Sequence, residues 1–159
     1  MQALFAAAWP DGGFSDQDFE HALGGVHWLL EVDGRLVSHA SVVERVLEAD
    51  GVALRTGYVE AVATLPGHEG RGYGSAVMAG AGAHIQDRFE LGALGTGRIT
   101  FYERLGWRVW RGPTFVRLAD GPVRTPDEDG FVLVLRTPRT PRIEMTGALS
   151  CDWRPGDVW

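Results

Sequence analysis

A single carboxylate interrupts a run of small apolar residues at Tyr58-Val59-Glu60-Ala61-Val62-Ala63. Side chains alternate along an extended chain, so Glu60 shares a face with Tyr58 and Val62. A carboxylate in such a run is a candidate proton acceptor. The plainer alternative is a sheet carboxylate that is solvated or paired with an arginine. A few residues on comes Glu69-Gly70-Arg71-Gly72-Tyr73-Gly74, directly after that strand and directly before a helical pattern. A helix start leaves backbone N–H groups unpaired and carries partial positive charge. Glycines let that backbone approach an anion, so the segment suits a pyrophosphate, and Arg71 could add a charged contact. A tight connector without a ligand fits the loop alone equally well. No Gly-Lys-Ser/Thr follows it, and no single strand opening a βαβ unit precedes it, so neither a Walker loop nor a dinucleotide fingerprint is present.

The elements that must hold these residues are legible in outline. Met1 to Ala8 reads as helix, stopped by Pro10-Asp11-Gly12-Gly13, and Ser15 offers an N-cap for a second short helix that ends at Gly24-Gly25. Three antiparallel strands follow, at 26–31, 36–47 and 52–63, joined by the turn signals Asp33-Gly34 and Asp50-Gly51. Ser75 to Phe89 has helical spacing, weakened by Gly80 and Gly82. A buried strand at Leu91 to Leu94, a short helix at Ile99 to Leu105 and a strand at Trp107 to Val116, interrupted by Gly112-Pro113, come next. A polar stretch at 118–130, a strand at Phe131 to Leu135 and an extended connector at Arg136 to Arg142 lead to a tail that Trp153 and Trp159 would dock. The pattern is α+β with one mixed sheet, in a single domain over residues 1–159.

Composition limits the partners. With 45% hydrophobic and 23% charged residues the chain is globular, and its formal charge of −6 argues against nucleic acid. The charge suits a cationic substrate, though it could serve solubility alone. All 15 basic residues are arginine. Cys151 is the only cysteine, which rules out an internal disulfide and fits a cytoplasmic protein; a small buried residue is its expected role. Nothing approaches the ~20 apolar residues of a membrane helix. The five histidines have no zinc-like spacing, no metal is expected, and no Gly-x-Ser-x-Gly elbow is present.

The glycine loop has the Arg/Gln-x-x-Gly-x-Gly/Ala form of Gcn5-related (GNAT) acetyltransferases, with Glu69 where that family has Arg or Gln. Tyr58 to Ala63, Leu91 to Leu94, Gly106-Trp107, Trp110 to Thr114, Arg124 to Gly130, His21 to His27 and Cys151 to Trp159 further resemble the aminoglycoside 2′-N-acetyltransferases of that superfamily. The C-terminal string is the most discriminating, because other GNAT proteins lack it. The resemblance implies a GNAT fold: one mostly antiparallel mixed sheet flanked by helices. Relatives begin with a strand before the first helix, and here Met1 already falls in the helix region, so that strand is expected to be missing.

The implied reaction is attack of an amine on the acetyl-CoA thioester. The resemblance then makes Glu60 the base, acting through water, and Tyr102 the acid that protonates the departing sulfur. A half-buried packing tyrosine is the alternative for Tyr102. Val62, Ala63 and Thr64 would pair with the pantetheine arm, and Gly70, Arg71, Gly72, Tyr73, Gly74 and Ser75 would hold the pyrophosphate. Asp18, Glu60, Ala61, Gly95, Glu128, Asp157 and Trp159, with its terminal carboxylate, would contact the aminoglycoside. Glu128 stands for the family's Asp, Gly13 replaces another Asp, and Gly95-Thr96-Gly97 replaces a serine-rich stretch. These departures keep open a GNAT enzyme for another amine, and a non-catalytic CoA- or aminoglycoside-binding relative. Enzymes of this type commonly dimerise, so a homodimer is compatible with the sequence.

Overall fold

The computed structural model describes residues 1–159. The chain divides into two compact units: Met1–Val43 with Val59–His84, and Glu44–Tyr58 with Ile85–Trp159. Strands β2 (Arg35–Ala49) and β3 (Val52–Thr64) and helix α3 (Tyr73–Arg88) contribute residues to both.

The first unit begins with helices α1 (Gln2–Ala8) and α2 (Asp16–Leu23). Ser15 caps α2 as expected: its side chain accepts from the Asp18 N–H, and the Asp18 carboxylate accepts from the Ser15 N–H at 2.7 Å. This reciprocal box satisfies two otherwise orphaned donors. Strand β1 (Val26–Val32) pairs antiparallel with β2 through the Asp33-Gly34 turn. Both turn residues have positive φ, at 51° and 73°, as a primed hairpin turn requires. Leu4, Phe5, Val37, Ala63 and Leu65 form a buried cluster, and Trp9, Phe14, Phe19 and Tyr73 pack around it. Helix α3 (Tyr73–Arg88) starts within the glycine segment, two residues before the expected Ser75. Gly80, which weakens α3, is where Trp28 of β1 packs; a Cβ there would collide with the indole ring.

The second unit contains β4 (Leu91–Gly95), α4 (Ile99–Glu103), β5 (Arg108–Val109), β6 (Thr114–Leu118), β7 (Gly121–Arg124), β8 (Val132–Arg136) and β9 (Leu149–Asp152). Strand β4 runs parallel to β3 and antiparallel to β8. Strand β6 runs parallel to β9 and antiparallel to β7. Hydrogen bonding follows the order β5-β8-β4-β3-β2-β9-β6-β7, with β1 on β2: one mixed, mostly antiparallel sheet, as expected.

Three expectations need correction. Trp107 to Val116 is not one strand: β5 pairs with β8, whereas β6 pairs with β7 and β9. Pro113 has no N–H for a ladder, and Gly112 passes so close to the Gly147 carbonyl that no Cβ fits. The polar stretch 118–130 contains β7, a short edge strand carrying Pro122. The tail contains β9, whose partner β6 lies far away in sequence and left no local signal.

Candidate functional site

The glycine loop has the geometry of an anion cradle. Gly70 and Gly72 take positive φ, 74° and 83°, where a side chain would be strained, and open space lies in front of both. These two left-handed residues lead into a 16-residue helix, whose first N–H groups lack intrahelical partners and suit an anion. The unexpected Glu69 has a local role. Its carboxylate accepts a hydrogen bond from the Gly67 N–H at 2.7 Å, closing the turn that enters the loop. Arg71 is exposed, while Tyr73, Gly74 and Ser75 are half-buried in the first turn of α3. These residues fit a pyrophosphate held mainly by backbone.

The strand leading to the loop is irregular beside Glu60. Ala61 has φ 51°, rare for an alanine inside a strand and costing about 1–2 kcal/mol. Side chains of β2 bond the carbonyls around it. The Ser41 hydroxyl donates to Glu60 O at 3.1 Å, His39 Nδ1 lies 2.7 Å from Ala61 O, and the Ser38 hydroxyl donates to Ala63 O at 2.9 Å. Each such bond contributes about 0.5–1.5 kcal/mol, so together they offset the strained residue. Glu60, Ala61, Val62 and Thr64 are half-buried and Ala63 is buried. Asp18 lies apart on α2 with one carboxylate oxygen engaged by Ser15.

The second unit brings Gly95, Glu128, Asp157 and Trp159 together at the tail. Arg45, 6% exposed, clamps it: Nη1 donates to Val158 O and Nη2 to Asp152 O, both at 2.8 Å, and Nε donates to the Asp152 carboxylate at 3.1 Å. Its guanidinium lies 4.7 Å from the ring centre of buried Tyr58, with Arg154 5.6 Å from the same ring. Arg154 donates to Asp157 O, and the Trp159 indole N–H donates to Thr125 at 3.0 Å. Gly95 is a close-approach point, since a Cβ there would meet the Trp159 carbonyl carbon at 3.3 Å and the Tyr58 hydroxyl at 3.5 Å. Trp159 is buried as expected, but Trp153 is 57% exposed. The arginines and Trp159 dock the tail, so Trp153 is not needed for it.

The acidic run divides by role. Asp129 accepts from the Thr114 N–H and hydroxyl and from both Nη atoms of Arg124, whose guanidinium holds its carboxyl well below the usual range. It is structural. Glu128 is half-buried; desolvation, then Asp157 and Asp127, push its pKa up. Concentrating carboxylates in this way is unfavourable unless a cation joins them.

Tyr102 is buried on α4 with edge-on contacts to Phe101 and Trp107, and burial pushes its hydroxyl up to about 12, so it carries its proton at neutral pH. Cys151 is likewise pushed up by burial, to about 11, and its thiol donates to Val158 O, which suits a packing residue and not a nucleophile. No group of three or more His, Cys, Asp and Glu has metal-holding geometry, and no helix is long and apolar enough to cross a membrane.

Sequence reasoning passed over Arg45 and the Ser38-His39-Ser41 group. The signal was available. Arg45 falls in phase with buried Val43 and Leu47, and a cation on the inward phase of a strand needs a partner. Ser38, His39 and Ser41 are all fully buried.

A family model of the GNAT acetyltransferase domain matches residues 16–110. The chain is 44% identical over 154 residues to the aminoglycoside 2′-N-acetyltransferase of Mycolicibacterium fortuitum, covering 94% of this chain and 78% of that protein. Among solved structures, a GNAT family acetyltransferase from Brucella melitensis in complex with acetyl-CoA matches with a TM-score of 0.60 and 17% identity, covering 90% of this chain and 84% of that one. Eis1 from Mycobacterium abscessus matches with a TM-score of 0.60 and 21% identity over 72% of this chain, which spans only 30% of that longer protein. These two similarities speak for the fold alone. With the family model over more than half of its length and a relative of that identity along nearly all of it, the chain belongs to the GNAT acetyltransferases, which use acetyl-CoA, and within them to the aminoglycoside 2′-N-acetyltransferase family.

Proposed function

We propose that this chain transfers the acetyl group of acetyl-CoA to the 2′-amine of aminoglycosides. The observation that carries the substrate is the grouping of half-buried Glu128 with exposed Asp157 and Asp127, an acidic cluster suited to a polycation. The name of the Mycolicibacterium fortuitum relative supports the same choice.

Acetyl-CoA supplies the acyl group and a thiol leaving group. The chain's residues do the rest. Gly70 to Ser75 hold the pyrophosphate through backbone N–H groups, and Arg71 adds charge. The backbone of Val62, Ala63 and Thr64 aligns the pantetheine arm. Glu60 orients the ammonium of the substrate and takes its proton through water, leaving a neutral nitrogen able to attack. Tyr102, protonated at working pH, gives its proton to the sulfur. Asp18, Ala61, Gly95, Glu128, Asp157 and Trp159 shape the aminoglycoside site.

On this reading the enzyme works in the cytoplasm and lowers susceptibility to the drugs it modifies. It pairs as a homodimer through strands after Gly106; exposed Leu118 and Val123 on β6 and β7 support that surface. A second reading, a GNAT enzyme for a different amine, draws on Gly13 and on the engagement of Asp18 by Ser15. A thiol-release assay decides between them. Tobramycin and gentamicin, with 2′-amines, should turn over, and amikacin, with a 2′-hydroxyl, should not. Turnover of spermidine or amino acids alone would favour the second reading. Acetyl-CoA binding without turnover of any amine would favour a non-catalytic relative.

A further inference from the structure

Two histidines absent from the mechanism above form a directed chain that ends on the residue after Glu60. His39 Nδ1 is 2.7 Å from the Ala61 carbonyl oxygen, and His39 Nε2 is 2.9 Å from His27 Nδ1. A carbonyl oxygen only accepts, so the proton of that bond belongs to His39 Nδ1. A neutral imidazole then has a lone pair at Nε2, which makes His27 Nδ1 the donor of the second bond. The hydrogen bonds thus write a single arrangement: His27 Nδ1–H to His39, His39 Nδ1–H to Ala61. The edge of Phe5 closes over His39, with ring centres 4.9 Å apart, and His39 is fully buried. Burial, its largest influence, holds His39 below the ordinary histidine pKa, against the raising effect of the Ala61 bond. On the His39 side, burial leaves no water to replace this bond.

We propose that His39, set in its tautomer by His27, is a positioning residue for acetyl transfer: it holds the left-handed Ala61 peptide and so fixes the direction in which Glu60 and the following N–H groups point. The role rests on Glu60 being the base. A serine hydroxyl at this place could rotate away from the carbonyl. The planar ring, pinned at both nitrogens, cannot.

The first readout is independent of activity. Long-range 1H–15N NMR should show His39 protonated at Nδ1 and bare at Nε2, the reverse of the tautomer that prevails in water. Kinetics of two variants follow. His39→Leu should lower kcat by about tenfold or more, leave KM for acetyl-CoA within about twofold, and shift the Ala61 and Val62 amide resonances. His39→Asn places an amide N–H where Nδ1–H was, and should recover kcat to within about threefold of the parent. Nε2–H on His39, an unchanged kcat in His39→Leu, or an Asn variant as slow as the Leu variant would overturn the proposal. Should His39→Leu fail to fold, His27→Leu takes its place: it removes the donor that sets the tautomer, about a threefold loss in kcat is expected, and no loss overturns the idea. If the parent protein acetylates no amine, the acetyltransferase reading fails separately, and the tautomer with the Ala61 and Val62 shifts still decides the pairing.

Discussion

On the proposed reading, the glycine loop with the end of β3 and the tail with Glu128 bind by opposite means. The loop works through backbone: Gly70 and Gly72 in left-handed conformations, and a strand bent at Ala61. Its side chains are then the replaceable part, and Glu69, standing where the family has Arg or Gln, accepts from the Gly67 N–H instead. The tail works through side-chain charge, and charges of one sign must be held together by something else. Arg45 anchors the backbone that carries Asp157, gripping the Asp152 and Val158 carbonyls from inside the sheet. A backbone site tolerates changes of side chain but not of φ. A charge site tolerates backbone play but not loss of its anchor.

The largest expected effect lies outside that contrast and calibrates it. Glu60→Gln should cut kcat by about a hundredfold or more with acetyl-CoA binding intact, read by single-turnover kinetics and calorimetry. Tyr102→Phe should cost kcat about tenfold to a hundredfold, most at the pH where sulfur departure is limiting. The contrast itself is tested by a pair. Gly72→Ala forces a side chain into left-handed space at about 1–2 kcal/mol, so KM for acetyl-CoA should rise about tenfold while KM for the amine holds. Arg45→Met should do the reverse, raising the amine KM about tenfold, with a stability loss of about 1–3 kcal/mol by denaturant titration. If each variant moved both constants equally, the division of labour would be wrong.

The smallest effect is a pH dependence. In the proposed role Glu128 must be ionised to meet a cation, and its pKa is raised. The amine KM should therefore climb as pH falls, starting at a higher pH than for an ordinary glutamate, and Glu128→Gln should flatten the profile. The fold does not confuse the measurement at this group. A carboxyl whose folded pKa exceeds its unfolded one favours the folded state on protonation, so acidification weakens binding without undoing structure here.

Much of this was open to reading in the sequence. Local signals were sound: the Ser15 cap, the Asp33-Gly34 turn, the glycine loop and the strand carrying Glu60 are all in place. What escaped was non-local. Strand β9 exists because β6, far off in sequence, lies beside it; β7 is a short edge strand with a proline; and the Trp107–Val116 strand breaks because Gly147 crowds Gly112. The same holds for the site. Glu60 and Glu128 announce themselves as carboxylates, but the partners of Arg45 and His39 appear only when strands are laid side by side.

The notch at Gly80 carries a consequence for the order of assembly. Helix α3 holds Gly74, Gly80 and Gly82, each costing about 1 kcal/mol relative to alanine, so the isolated segment should not hold a helix in water. Its order is borrowed from tertiary contact, with Trp28 of β1 filling the notch. The mouth of the cradle therefore matures only after the β1–β2 hairpin has formed and docked. Hydrogen exchange during refolding should show protection of α3 amides trailing that of β1, and filling the notch with Gly80→Ala should raise local helical propensity yet retard that step.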